Sequence, residues 1–251
     1  MDTRYIRNRL YLTKEEQNII KNTSILLGGS GIGSVIAECA LRFGFENITI
    51  IDGDQVELSN LNRQNYTEDD IAIDKTEALY KRLKAINKNA KITCHTKFLT
   101  TENVRSFIDG FDIAINALDF SSDVPLLFDS ICKEKNIPVL HPYNIGWGGL
   151  VTVITPDSLS LDSIAKPNER FNELNMVQYA SSYLKFWGKP QKWIDDIVEK
   201  YLNEEEKLSP PQLSIASWIV AGMCTHILFN IATKKEIKEF PEFYLSTIMN
   251  S

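Results

Sequence analysis

The sequence predicts a protein of the α/β class, built on a doubly wound, mostly parallel sheet with a helical C-terminal part. Short apolar runs rich in β-branched residues alternate, over roughly the first 155 residues, with segments whose apolar residues recur at helical spacing. The first two runs are joined by a glycine-rich turn. A chain of 251 residues, of which 43% are hydrophobic, is long enough for one such domain and an appended segment.

The glycine-rich turn lies between a strand predicted at Ile25–Leu27 and a helix predicted at 34–43, and a second strand, Ile48–Ile51, follows. Its glycines let a phosphate approach backbone N–H groups and the helix N-terminus, because no Cβ intervenes. Asp52 ends the second strand, where Rossmann-like folds place an acidic residue that hydrogen-bonds a ribose hydroxyl. The glycines expected at the nucleotide are Gly28, Gly29, Gly31 and Gly33.

The glycine motif alone does not establish nucleotide binding, because Ser30 occupies the second glycine position of the GxGxxG frame and a plain tight turn explains the rest. The polar cluster that follows Asp52 is more informative. Arg63 can neutralise charge that develops on a polyphosphate, and Asn60 can hold a phosphate oxygen. Such residues indicate a site that activates ATP rather than an ordinary dinucleotide site.

Five motifs occur in order along the same part of the chain. They are Arg4-Tyr5-Ile6-Arg7, the glycine-rich turn, Asp52-x-Asp54-x-Val56-x-x-x-Asn60-x-x-Arg63-Gln64, Asp74-Lys75-Thr76-Glu77, and Asn116-Ala117-Leu118-Asp119. The ordered set resembles the MoeB/ThiF/HesA family, which are adenylyltransferases related to ubiquitin-activating enzymes. The run from residue 52 to residue 64 is the specific member of the set.

The resemblance implies an ATP-dependent adenylyltransferase that joins a carboxylate to AMP and releases pyrophosphate. It places catalytic roles on Arg63, Asp119, Lys75 and Arg7, with Asp119 holding Mg²⁺ against the ATP phosphates and Asp52 orienting the ribose. The ATP-binding positions that it implies are Gly28, Gly29, Gly31, Gly33, Asp52, Asp54, Asn60, Arg63, Gln64, Lys75 and Leu118.

The resemblance also implies the partners of the chain. The activated carboxylate would be the C-terminus of a ubiquitin-like or sulfur-carrier protein, or of a precursor peptide. In the family, the arginine that corresponds to Arg7 reaches across a dimer interface to the partner's ATP phosphates, which implies a homodimer. A solvated basic arm is the alternative explanation of Arg4, Arg7 and Arg9.

The chain departs from the family in its cysteines. Members often carry a zinc-binding Cys-x-x-Cys and a reactive cysteine after residue 156, whereas no cysteine occurs here between Cys132 and Cys224. No zinc and no thioester step are therefore expected. Cys132 lies on the apolar side of a predicted helix and is expected in the core. Phe120 replaces the family's asparagine after the aspartate, and Ala72 replaces a usual glycine.

Composition narrows the functional class. The net charge of −6 and a pI near 5.2 disfavour nucleic acid as a general partner. A polar, charged N-terminus without a signal-peptide pattern and four scattered cysteines predict a reducing, cytoplasmic location. Ser214–Ala232 is largely apolar but contains His226 and Asn230, so we expect a buried helix rather than a membrane span.

Three segments are predicted: an ATP-binding core with an N-terminal arm at 1–156, a helical crossover at 157–208, and a C-terminal helix packed on the core at 209–251. His141–Gly149 is predicted as a loop; the resemblance implies a substrate wall there, and plain loop packing is the alternative explanation. Pro241 begins a short tail. The remaining predicted elements are helices at 14–21, 75–86, 102–109, 125–135 and 212–233, and strands at 91–95, 111–116, 137–140 and 150–154.

Two other functions stay open on the sequence. An NAD-dependent oxidoreductase would use the same βαβ unit but leaves Asn60, Arg63 and Asp119 unexplained. A non-catalytic scaffold or peptide-binding module agrees with the missing cysteine but not with the retained polar set. A comparison of MgATP binding with NAD⁺ binding distinguishes the oxidoreductase from an adenylyltransferase. ATP turnover distinguishes the non-catalytic scaffold from an adenylyltransferase.

Overall fold

A seven-stranded sheet forms the centre of the computed structural model, which describes residues 3–165, 169–206 and 208–249. The strand order is β3-β2-β1-β4-β5-β6-β7; the first five strands are parallel, and β6 and β7 are antiparallel to their neighbours. The strands are β1 Ser24–Gly28, β2 Asn47–Asp52, β3 Lys91–Thr96, β4 Ile113–Asn116, β5 Val139–Asn144, β6 Gly148–Ile154 and β7 Tyr244–Thr247.

Helices cover both faces of the sheet, as expected for a doubly wound fold. Apolar residues of α2, α3 and α8 join one core cluster with alternate strand residues, and those of α4, α5 and α6 join a second cluster on the opposite face. The helices are α1 Lys14–Asn22, α2 Ile32–Phe43, α3 Lys75–Ile86, α4 Val104–Phe107, α5 Val124–Glu134, α6 Glu173–Phe186, α7 Lys192–Leu202 and α8 Ser214–Ala232, with short 3-10 helices at Thr3–Asn8, Leu58–Asn60, Glu68–Asp70 and Leu161–Ile164.

The fold class is confirmed, and its topology locates the site. β1 pairs with β2 on one side and with β4 on the other, so the chain reverses its direction of progress across the sheet between these strands. Ligands of open α/β sheets bind in the crevice beyond the carboxyl ends of strands at such a switch point. The glycine-rich turn follows β1 at this edge, and Asp119 follows β4 at the same edge.

Two predicted irregular segments are strands instead. The predicted loop His141–Gly149 forms most of an antiparallel hairpin of β5 and β6, in which only residues 145–147 turn; the N–H of Gly146 donates to Asn144 Oδ1. β5 was not predicted beyond Leu140, because proline and glycines are atypical of a strand. Buried and less buried side chains nevertheless alternate over residues 141–144. The predicted tail after Pro241 contains β7, which pairs with β6 as the sheet edge.

The apolar helix α8 is long and apolar enough to cross a membrane, and it is the one such helix within the described residues. About half of its most apolar stretch is buried, against α2 on one side and against β5 and β6 on another. This packing agrees with the predicted buried helix. The division into three segments stays a prediction, and residues 1, 2, 166–168, 207, 250 and 251 of those segments lie outside the described residues.

Candidate nucleotide and carboxylate site

The glycine-rich turn is held against the end of β4. Gly29 has a φ of +87°, and a Cβ at this position would lie 2.3 Å from the carbonyl oxygen of Ala117. The N–H of Gly29 donates to Ile51 O at 2.9 Å, and the N–H of Ala117 donates to Gly28 O at 2.8 Å. Glycine is therefore required at position 29 by backbone conformation and by space.

Ser30 in the second glycine position has a structural explanation. Its N–H and its hydroxyl both donate to Asp52 Oδ2, at 2.6 and 2.8 Å, and the N–H of Asp54 donates to Asp52 Oδ1 at 2.8 Å. The buried Asp52 carboxylate thus fixes the turn, using three of about four acceptor sites. Its expected contact with a ribose hydroxyl stays a prediction.

Four charged side chains from the predicted set lie near Asp119. Burial raises the pKa of Asp119; the charge of Lys75 opposes this rise, those of Asp54 and Asp52 add to it, and that of Arg63 opposes it. Lys75 is itself buried and forms an ion pair with Asp54, Nζ to Oδ2 at 3.0 Å. The fold therefore gathers these five residues into one electrostatic cluster at the switch point.

Arg63 is oriented by a segment far along the chain. Its Nε donates to Gln212 Oε1 at 2.6 Å, and one terminal nitrogen donates to Ser59 O and to Asn62 Oδ1 at 2.9 and 2.8 Å. Asn60 is buried, and its Oδ1 accepts from the N–H of Glu57 at 3.1 Å, so this side chain caps a 3-10 helix. Its expected phosphate contact stays a prediction.

A buried carboxylate behind this segment fixes its position. Glu38 of α2 accepts hydrogen bonds from Arg42 Nε at 2.8 Å, from Arg82 Nε at 2.5 Å and from the side-chain amide of Asn65. The N–H of Asn65 also donates to Ser34 Oγ at 2.9 Å. Helices α2 and α3 are thereby tied to the residues that follow Arg63.

A cavity of about 470 Å³ opens beside this cluster. Arg63, Leu118 and Asp119 line it together with residues of β4 and β5, while α6, α7 and the segment 209–212 form the opposite wall. Residues 141–145 of the predicted substrate wall line the cavity, whereas Trp147 does not and is exposed. Gln64 lies beside the glycine-rich turn, because a Cβ added at Gly31 would be 3.3 Å from the side-chain amide nitrogen of Gln64.

Arg7 does not lie at this cavity. It sits exposed in the N-terminal 3-10 helix, which Tyr5 anchors through a hydrogen bond from its hydroxyl to Glu46 Oε1 at 2.9 Å. A position away from the site of its own chain is compatible with the expected reach across a dimer interface, and that role stays a prediction.

Comparison with known proteins decides the family. A model of the ThiF family matches residues 5–250. The chain belongs to the ThiF family. The sulfur carrier protein ThiS adenylyltransferase of Bacillus subtilis (strain 168) is 30% identical over 164 residues, which are 63% of this chain and 48% of that protein. The tRNA threonylcarbamoyladenosine dehydratase of Escherichia coli (strain K12) is 30% identical over 160 residues, 63% of this chain and 58% of that protein.

The ThiF-family chain spans about half the length of these two relatives. Solved structures confirm its fold. The structure of E. coli MccB with MccA-N7isoASN has a TM-score of 0.71 at 16% identity and covers 100% of this chain and 73% of that chain. E. coli tRNA N6-threonylcarbamoyladenosine dehydratase has a TM-score of 0.66 at 18% identity and covers 92% of this chain and 94% of that chain.

Asp119 is the residue of this ThiF-family site that fits a magnesium ion. Within the described ranges, no group of three or more His, Cys, Asp or Glu side chains is close enough to hold a metal. Mg²⁺ usually binds to one or two carboxylates and completes its shell with phosphate oxygens and water. Asp119, a single carboxylate beside the glycine-rich turn, meets this requirement when ATP supplies the other ligands.

Sequence reasoning missed three parts of the ThiF-family site. The only sequence signal for Gln212 is the Pro-Pro pair that precedes it. The only signal for Glu38 is that it is an acidic residue on an otherwise apolar helix face. The helices α6 and α7, which wall the cavity, were expected as helical sequence without a role. Cys132 is buried in the core as predicted, and burial, followed by the charge of Asp129, raises the pKa of its thiol.

Proposed function

We propose that this chain activates a carboxylate with MgATP, forming an acyl adenylate and releasing pyrophosphate. The observation that carries the proposal is that Arg63 and Asp119 lie together on one cavity, at the edge of the sheet where the glycine-rich turn follows β1. Adenylylation requires charge neutralisation and positioning more than a protein base. The names of the relatives, adenylyltransferase and activating enzyme, support it.

The residues divide the reaction between them. The N–H groups at the N-terminus of α2 bind the phosphates, because those of Gly29 and Ser30 already donate to Ile51 O and Asp52 Oδ2, and Asp52 orients the ribose. A carboxylate oxygen of the substrate attacks the α-phosphorus; the bond from that phosphorus to the bridging oxygen breaks, and pyrophosphate leaves. Lys75 and Arg63 neutralise the charge that develops; Asp119 would hold Mg²⁺, which would supply further charge neutralisation when bound.

The substrate carboxylate is proposed to be the C-terminus of a small protein or peptide that enters along the wall of α6 and α7. One relative is named for the sulfur carrier protein ThiS, others are named ubiquitin-like modifier-activating enzymes, and MccB was solved with MccA. The proposal includes a cytoplasmic homodimer in which Arg7 of a partner subunit reaches the phosphates. No acyl transfer to a cysteine is proposed, because Cys132 and Cys224 are buried and because burial raises the thiol pKa of the partly buried Cys39 and Cys94.

ATP–pyrophosphate exchange tests the proposal. The full chain is incubated with MgATP, labelled pyrophosphate and synthetic peptides that carry free or amidated C-termini. We expect exchange only with free carboxylates and only with magnesium, and Asp119→Asn should decrease it about 100-fold. Exchange that is absent with every peptide and with purified sulfur-carrier proteins would leave a non-catalytic scaffold as the better account.

A further inference from the structure

The guanidinium of Arg63 has N–H groups left for a ligand. Its Nε donates to Gln212 Oε1 at 2.6 Å, and its Nη1 donates to Ser59 O at 2.9 Å and to Asn62 Oδ1 at 2.8 Å. A guanidinium carries five N–H donors and no acceptor. Within residues 3–165, 169–206 and 208–249, no group accepts a hydrogen bond from Nη2. The two N–H groups of Nη2 therefore remain on a side chain that lines the cavity.

The partner of Nε is uncharged. Because a guanidinium only donates, the amide oxygen of Gln212 is the atom that faces Nε, and it accepts one hydrogen bond without cancelling the charge. A carboxylate at this position would accept from two N–H groups of the guanidinium and neutralise it. The same chain shows that contrast, since Arg42 and Arg82, which lie outside the cavity lining, donate their Nε to the carboxylate of Glu38.

Gln212 is itself held in place from both sides. Pro210-Pro211 precedes it, and each proline has a fixed φ. The N–H of Leu213 donates to Asn144 Oδ1 at 3.3 Å, and Asn144 Nδ2 donates back to Leu213 O at 2.8 Å. A longer hydrogen bond of 3.4 Å joins Asn62 Nδ2 to Gln212 O. The end of β5 and the segment before Arg63 thus fix the backbone that carries the Gln212 side chain.

We propose that Gln212 is a positioning residue: its uncharged oxygen fixes the guanidinium of Arg63 and leaves Nη2 and the full positive charge to an anionic ligand in the cavity. Under the proposed function, on which this inference rests, that ligand is the polyphosphate of ATP. A flexible arginine loses rotamer freedom when it binds a ligand, so a partner that orients it beforehand lowers the cost of binding.

Replacing Gln212 by Glu separates the charge of this side chain from its shape. Gln212→Glu keeps its size and its acceptor, yet it should weaken MgATP binding at least about tenfold in calorimetry on the full chain, because the carboxylate neutralises Arg63. Gln212→Ala should weaken binding about fivefold. Gln178→Ala, the same change on α6 outside the cavity lining, should leave it unchanged. A role in packing alone predicts wild-type affinity for Gln212→Glu.

A double-mutant cycle determines whether Gln212 acts through Arg63. In the Arg63→Ala background, Gln212→Ala should change MgATP affinity by less than about twofold, whereas a role in holding the cavity wall would persist there. A ¹⁵N spectrum supplies a readout that needs no nucleotide. The Nε–H signal of Arg63, assigned by its loss in Arg63→Lys, should exchange with water at least about tenfold faster in Gln212→Ala.

Additive effects in the cycle, an unchanged exchange rate of the Nε proton, or wild-type affinity in Gln212→Glu would each overturn the inference. The proposed function fails in a different way. A wild type that binds MgATP and follows the expected cycle, but supports no pyrophosphate exchange with any carboxylate, refutes the proposed function and keeps the positioning role. Pyrophosphate exchange together with an additive cycle refutes this inference alone, and a wild type that does not bind MgATP refutes both.

Discussion

The buried carboxylate of Glu38 provides a sharp test of how the site is held together. Replacing it by Gln keeps the size of the side chain and removes its charge. Three hydrogen bonds then lose their ionised acceptor, those from Arg42, Arg82 and Asn65. Glu38 is about 5% exposed, but its arginine partners are 59% and 37% exposed, so water recovers part of the loss.

The magnitude follows from these exposures. Breaking a fully buried ion pair costs about 3–5 kcal/mol, whereas a hydrogen bond to a charged group contributes about 1.5–3 kcal/mol. With the arginines partly solvated, we expect Glu38→Gln to lower the free energy of unfolding by about 2 kcal/mol. Because Asn65 follows Arg63 and Gln64, we also expect MgATP to bind about tenfold more weakly.

Urea unfolding and MgATP calorimetry measure the two effects. Glu77→Gln is the matched control, because Glu77 forms an exposed pair with Lys81 and its loss should cost about 0.5 kcal/mol or less. Burial alone would raise the pKa of the Glu38 carboxyl. The hydrogen bonds from Arg42, Arg82 and Asn65 lower this pKa by more, so it lies below its ordinary 4.5. A Glu38→Gln variant as stable as wild type, with unchanged MgATP affinity, would refute the reasoning.

The remaining predictions concern pH, the metal ligand and the turn. The pKa of Glu38 is lower in the folded state than in the unfolded state. The stability that its charge contributes is therefore fully present above about pH 4.5 and is lost as the pH falls through the lowered pKa. Wild type should lose more stability than Glu38→Gln when urea unfolding is repeated at decreasing pH. Asp119→Asn should decrease exchange about 100-fold yet raise stability at pH 7, because burial raises the pKa of Asp119 and its charge opposes folding; a destabilised variant would contradict this. Gly29→Ala should cost about 2 kcal/mol or more, whereas Gly222→Ala, with open space around its Cβ, should gain about 0.5–1 kcal/mol in thermal unfolding. Ser30→Ala should cost about 1 kcal/mol through the lost bond to Asp52, and equal melting temperatures would contradict this stabilising role.

The elements predicted correctly are those encoded by local patterns. The helix expected at 75–86 has those bounds in the structure, because its apolar residues recur at helical spacing, which is a local signal. The glycine-rich turn and the two strands around it follow the same logic. Ala72, noted as standing where a glycine is usual, has a φ of +65°, a conformation that glycine adopts at lower cost.

The parts that could not be predicted are contacts made by the fold. Gln212 reaches Arg63 across 149 positions, and no pattern in either segment indicates the other. His141 pairs with Asp129 only because α5 and β5 share one core cluster, and the part of β5 beyond Leu140 was not predicted because Pro142 and the glycines that follow are atypical of a strand. The cavity wall of α6 and α7 is likewise a product of packing.

Calorimetric titration of the purified chain with MgATP and with NAD⁺, on wild type, Asp119→Ala and Arg63→Ala, tests the central claim most directly. Arg105→Ala is the matched control, since Arg105 forms an exposed pair with Glu134. The account predicts magnesium-dependent ATP binding that both site variants weaken at least about tenfold and the control leaves intact. Binding of NAD⁺ that is indifferent to both site variants, or binding of neither nucleotide, would contradict it.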